Sequence, residues 1–165
     1  MTRVIRAVLA CVLLAGCGTT ALEPQNVALR SGMARIYLMR PSTLLGKAAR
    51  YSIAVDDKPV GKITDGSYVS VDRAPGRHKI AVMTIYGTPA IEDEIQVEAG
   101  RSYYFVINMR SSQTAVVSNG LVMAVPIPGT AIGKPVSQQK WFSGIYFGQL
   151  DSTAGAAMVA SLQKP

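Results

Sequence analysis

Between Met33 and Met109 apolar residues recur at every second position, in short runs broken by Gly, Pro and Asp. That period belongs to strands with one buried face. "ARIYLMRP" puts Ala34, Ile36 and Leu38 on one face and Arg35 and Tyr37 on the other, with Pro41 ending the ladder. Tyr51, Ile53 and Val55 share a face, and Asp57-Lys58 is read as a turn into Val60 to Ile63. An Asp65-Gly66 turn leads to a strand carrying Val69 and Val71 inward. A Pro75-Gly76 turn leads to a longer strand with Ile80 and Val82. Ile91, Ile95 and Val97 then oppose Glu92, Glu94 and Glu98, while "RSYYFVINM" is apolar on both faces, as a central strand would be.

Beyond Met109 the pattern dissolves. "AVVSNGLVMAVPIPGTAIGKP" mixes apolar residues with Gly and Pro breaks and settles into no period, so residues 115–142 are read as an irregular segment where partner binding is concentrated, or else as a buried extra hairpin or helix completing the core. Regularity returns with "IYFGQL", read as a last strand. Asp151 is placed to cap a helix to about Leu162, on which Ala154, Met158 and Leu162 recur every fourth residue. Seven strand-like runs with turn signals between them predict a single mostly β domain over residues 33–165, an antiparallel sandwich with a short C-terminal helix packed across one end or face.

The first residues follow a different logic. Arg3 and Arg6 precede an apolar run of eight residues, Ala7 to Leu14, and small residues lead to Cys17. This is the layout of a secretory signal peptide over residues 1–16. Eight residues rise about 12 Å as a helix, against a hydrocarbon core of roughly 30 Å, so the run is too short to remain as a spanning anchor. Leu14-Ala15-Gly16-Cys17 resembles the bacterial lipobox. The resemblance implies diacylglycerol on the Cys17 sulfur, cleavage before that residue and acylation of the new amine. The alternative is a cysteine within an ordinary signal, or a simple buried thiol. Gly18, where the enteric retention pattern has Asp, points to the outer membrane, with the domain facing the periplasm. Residues 17–32 read as the lipidated cysteine and a flexible tether. Fifteen residues, Gly18 to Gly32, would reach at most about 50 Å.

Removing residues 1–16 leaves 149 of 165, enough for one domain with a real core. Cys11 and Cys17 are the only cysteines, so the processed chain has no disulfide, thiol nucleophile or cysteine metal ligand to offer. Losing Arg3 and Arg6 lowers the basic count from 17 to 15 against 10 acids. That excess favours anionic neighbours such as lipid headgroups or cell-wall polymer. Nucleic acid is excluded as a partner by the export signal.

At "VDDKPVGKI", "APGRHKIAV" and "VEAGRSYYFVI" the chain resembles the bacterial lipoprotein family of domain of unknown function 2846, and the first two stretches are also similar to PEGA-type sandwich repeats of envelope proteins. The likeness extends over roughly Met33 to Met109 and the "YFGQLDSTAGAAMVASL" ending. It implies an immunoglobulin- or transthyretin-like sandwich on an envelope lipoprotein, and it carries no catalytic pattern or cofactor beyond the covalent lipid on Cys17.

Candidate chemistry is sparse. His78 is the only histidine and lies between Arg77 and Lys79 at the start of a strand. It has no recognisable nucleophile or second metal-ligating histidine in the sequence, so a rim or packing role competes with an acid/base one. Glu92, Asp93, Glu94 and Glu98 suggest either paired carboxylates or a calcium cage, or else a solvated strand face. Arg73, Arg77 and Lys79, with Lys58 and Lys62 on a neighbouring hairpin, form a candidate basic patch for anionic polymer or lipid, or are scattered surface cations. Lys140, Trp141 and Phe142 form a candidate saccharide platform or partner hot spot, or pack as core or lid. The expectation is a non-enzymatic envelope module, anchored to the membrane by lipid, that binds an envelope protein or a cell-wall polymer. The alternative is a hydrolase or transferase acting on wall or glycan substrates.

Overall fold

In the computed structural model the structure describes residues 21–25, 27–43, 47–83, 86–109, 114–118, 121–125, 130–132, 134–135 and 144–162. The strands are β1 (Ala34–Arg40), β2 (Tyr51–Val55), β3 (Lys58–Ile63), β4 (Ser67–Arg73), β5 (Gly76–Met83), β6 (Pro89–Val97), β7 (Ser102–Met109), β8 (Thr114–Ser118), β9 (Leu121–Val125), β10 (Thr130–Ala131), β11 (Lys134–Pro135) and β12 (Ile145–Leu150). Among the described residues one helix, α1, spans Ser152–Ser161. No helix among the described residues is long and apolar enough to cross a membrane.

The protein is mostly β, a sandwich of two five-stranded sheets. One has the order β10-β12-β7-β1-β4 and the other β11-β6-β5-β2-β3. The alternation read from the sequence sets which side chains meet between them. Ala34, Ile36, Leu38, Val55, Ile63, Val69, Ile80, Val82, Phe105 and Ile107 are fully buried in one cluster, joined by Ile91, Ile95 and Val97. Burying each of the larger aliphatic side chains contributes about 1.5–3 kcal/mol. Phe105 and Phe147 stack across the β7–β12 pair at 5.5 Å between centroids. As its two apolar faces predict, β7 is central.

Pairing is antiparallel except between β1 and β7, which run parallel from Arg35↔Ser102 to Met39↔Val106. The sandwich is therefore mixed, because β7 returns to the far side of β1 after four strands in the other sheet. The turn into β3 is also displaced by one residue from the sequence reading. It is Asp56-Asp57, with φ of 53° and 61°, and Val55 pairs with Lys58. A two-residue hairpin loop needs left-handed backbone at both positions, which Asp tolerates better than Lys.

Helix α1 begins as expected, the Asp151 carboxylate accepting from the Ala154 N–H at 2.9 Å. It packs on the outer face of the first sheet, where Met158, Val159 and Leu162 meet Met39, Tyr68, Leu150, Tyr37 and Tyr104. Gly155 is buried against Tyr104, and a Cβ there would overlap that ring. The helix thus explains why Tyr68 and Met39 are buried although they lie on the face opposite the core.

Two segments close the sides of the sandwich. On one side, residues 21–25 run from β3 to β4. Ala21 bridges Gly61, the Leu22 N–H donates to the Val60 carbonyl at 3.1 Å, and the Gln25 amide donates to the Ser70 carbonyl at 2.9 Å. The Gln25 carbonyl in turn accepts from the Ser70 N–H. Its side chain thereby substitutes for a neighbouring strand on both backbone groups of Ser70. The described part of the segment expected to be a free tether lies against the fold instead. On the other side, residues 130–135 cross from β12, paired by β10, to β6, paired by β11. Ile132 packs against the core between them.

Candidate functional site

At the end of the sandwich that holds the β2–β3 turn, His78 sits where the inward face of β5 runs out. Its Nδ1 lies 2.8 Å from the Asp56 carboxylate and its Nε2 2.8 Å from the Ala74 carbonyl oxygen. Both partners are acceptors, so both contacts are hydrogen bonds only when the ring donates from both nitrogens. The same Asp56 carboxylate accepts from the Lys79 N–H at 3.1 Å, and Arg73 lies 3.9 Å away. Burial pushes the Asp56 pKa up. The His78 hydrogen bond, the Lys79 N–H and the His78 and Arg73 charges outweigh it and leave the carboxyl below its ordinary value.

This pairing gives His78 an orienting carboxylate, one requirement of an acid/base role. The second requirement is a ring nitrogen turned toward a substrate, and the Ala74 carbonyl occupies that nitrogen. A cleft of about 440 Å³ lies between the start of β7 and the end of β12, and His78 does not line it. Three of the cleft's polar residues are committed elsewhere. Asp151 caps α1, Arg101 pairs with Glu98 at 3.2 Å, and the Tyr103 hydroxyl accepts from the Glu98 N–H at 3.0 Å. No group of three or more His, Cys, Asp or Glu that could hold a metal occurs among the described residues.

The basic patch does not assemble as a free surface. Arg73 donates to Glu23 at 3.0 Å, and Lys79 is paired with Asp57 and lies 3.9 Å from Glu92. Arg77 is exposed on β5 opposite Gln96. Strand alternation separates Arg77 and Lys79 from His78, while Arg73, on the other sheet, joins His78 at the Asp56 carboxylate and lies apart from the other two. The four acids do not converge either. Glu92 and Glu94 lie on the outer face of β6, Asp93 has the parity of the core and pairs with Ile80, and Glu98 follows the strand. Cys17, Lys140, Trp141 and Phe142 lie outside the described residues.

The expected irregular segment contains defined structure. Thr114 to Ser118 pairs with Leu121 to Val125 in a two-stranded sheet of its own, and neither strand joins another strand among those described. The signal for it was in the sequence, since Asn119-Gly120 between two apolar runs is the strongest short-range hairpin mark. Residues 111–133 contain no charged side chain.

Residues 30–121 match the family described as protein of unknown function DUF2846. The chain belongs to that family. The matched span takes in both ends of the β5–β6 hairpin and stops at the first residue of β9, so the crossing segment, β12 and α1 lie beyond it. No curated protein and no solved structure matches the chain.

His78→Ala is expected to cost about 1 kcal/mol, the worth of a hydrogen bond or two at a half-open rim. Asp56 contributes stability that is present above its unfolded pKa and lost as pH falls through its lowered folded value. The gap in melting temperature between wild type and His78→Ala should therefore narrow below the ordinary carboxylate range. Melts at stepped pH check this, and a gap that widens in acid would refute the assignment.

Proposed function

We propose that this DUF2846 protein is a lipid-anchored, non-enzymatic binding module of the cell envelope, held through Cys17 in the outer membrane and facing the periplasm. Its β8–β9 hairpin supplies the contact with an envelope protein. The observation that carries this reading is an uncharged hairpin whose strands pair with no other described strand. A lone two-stranded hairpin is marginal in water, and apolar edges without a charge invite a further strand. Burial in lipid fits less well. Strands of five residues are about half of what spans a hydrocarbon core, and their outer edges would carry backbone groups that lipid cannot satisfy. A partner strand added to an edge meets both conditions.

The deciding experiment replaces residues 114–125 by a short Gly-Ser link and places photocrosslinkers at Val117 and Met123 in the intact hairpin. The shortened protein should melt within a few degrees of wild type, because β8 and β9 join neither large sheet. The crosslinkers should capture an envelope protein whose co-purification the deletion abolishes. Unfolding of the deletion, or retention of the captured protein by it, would sink the reading. A deletion reaching Lys134 is not equivalent, since it removes the segment that ties β12 to β6.

A further inference from the structure

The two ends of the sandwich differ in how their exposed charges are mixed, and the direction of the chain at Ala21 singles out one of them. Residue 21 pairs antiparallel with Gly61, and Leu22 is bonded to Val60. The direction of the chain at Ala21, taken backwards, therefore points to the Lys62-Ile63 end of β3 and away from the Asp56-Asp57 turn. The strand ends at that exit are aligned by register. Tyr51 faces Ile63, Ser52 faces Met83 and Met83 faces Pro89. In the other sheet Arg40 faces Ser67 and Ile145 faces Met109. Arg40, stacked 5.1 Å over Tyr51, joins the two rows.

The exposed charges described at this exit end are Lys47, Arg50 and Lys62. The acid there, Asp65, is engaged by the Thr43 N–H and hydroxyl, each at 3.0 Å, and lies 3.6 Å from Arg40. Tyr86, in the β5–β6 connection, is 76 % exposed. The opposite end mixes the exposed carboxylates Asp56, Asp57 and Glu98 with the exposed cations Lys58, Arg77 and Arg101, and its carboxylates are paired with His78, Lys79 and Arg101. Three residues separate Cys17 from Ala21, and the four steps between them reach at most about 14 Å.

We infer that the sandwich stands on its anchoring bilayer by this end, with Lys47, Arg50 and Lys62 against anionic phospholipid headgroups and Tyr86 at the interface. The inference rests on lipidation of Cys17 and adds the orientation that lipidation alone leaves open. Charge and chain direction agree: cations near an anionic surface are attracted over about a Debye length. Tyr has an apolar ring and a polar tip suited to the headgroup level. At the other end cations and carboxylates largely cancel, so its attraction to such a surface is weaker. A short tether then holds the apposition, where a free tether of the full length to Met33 would have left the domain to tumble.

The test uses the lipidated protein extracted from membranes and returned to vesicles, with a fluorophore on Ala48→Cys at the exit end or on Ala99→Cys at the other. Both positions are exposed. In vesicles containing phosphatidylglycerol and a headgroup quencher, the label at 48 should be quenched several times more than the label at 99. Reversing Lys47, Arg50 and Lys62 to Glu should weaken the preference by about fivefold per cation or more, as should phosphatidylcholine vesicles or high salt. Equal quenching at both positions, or stronger quenching at 99, overturns the orientation while leaving the anchor intact. Recovery of the protein in the soluble fraction with Cys17 unacylated overturns the anchor itself, and the orientation with it.

Discussion

Cys17→Ala is expected to move nearly all of the protein out of the salt-washed membrane fraction, or to leave it as unprocessed precursor. The size of the effect follows from the proposed anchor. One acyl chain gives marginal, reversible binding, and each further buried CH2 contributes about 0.8 kcal/mol, so two or three chains hold for practical purposes permanently. What remains without them is the attraction of a few surface cations, which a high-salt wash screens. No described helix offers a substitute span. Fractionation with and without the wash, alongside a mass measurement of the processed N-terminus, reads both outcomes. If the processed variant stays with washed membranes at wild-type level, Cys17 is not the anchor and the end-on orientation loses its foundation.

The regular half of the fold was legible because the physics that forms it is local and periodic. Strict alternation in β1, β4, β5 and β6 assigned the inner face correctly at Ile36, Leu38, Val69, Val71, Ile80, Val82, Ile91 and Ile95, all buried. Asp151 was legible as a cap because capping needs one side chain at one place. The parallel partnership of β1 and β7 was not, since alternation tells which face a residue takes and nothing of which strand lies beside it. The closing segments were hidden for a related reason. Gln25 covers Ser70 by a single amide, and the segment 130–135 pairs with two sheets over two residues each, so neither leaves a periodic trace.

At the candidate site, sequence singled out His78 but not its partner. Asp56 is 22 residues away in the chain and reaches the ring because the β2–β3 turn ends beside β5. The same topology disposed of the basic patch: residues close in sequence were divided between faces and sheets, and Arg73 and Lys79 were given carboxylates. The hairpin had a local mark, Asn119-Gly120 between two apolar runs, while the Gly and Pro content of the whole stretch hides what lies on either side of it. Arg40 was also visible as an anomaly, because it shares the parity of Ala34, Ile36 and Leu38, which places a cation on the core face.

Arg40 accordingly sets the largest stability effect expected within the domain. It is fully buried, donates to the Ala49 carbonyl, lies 3.6 Å from Asp65 and stacks on Tyr51. Those contacts fix the β1–β2 connection to the turn after β3, at the end where the two sheets meet the exit of the N-terminal chain. Arg40→Ala leaves a large cavity, an uncompensated Ala49 carbonyl and a carboxylate without its cation, and should cost about 3–5 kcal/mol. For a domain of this size that corresponds to a fall in Tm on the order of 10–15 °C. Arg40→Met separates packing from charge, because it refills most of the volume. Asp65 keeps its bonds from Thr43 and is 17 % exposed, so water can take over part of the role of the guanidinium. Urea unfolding at constant m should place Arg40→Met less than halfway to Arg40→Ala. Equal losses in both variants would show that the charge, rather than the space it fills, holds this end together. A loss below about 1 kcal/mol in Arg40→Ala, the range of ordinary surface changes, would show that the connection is held by something else.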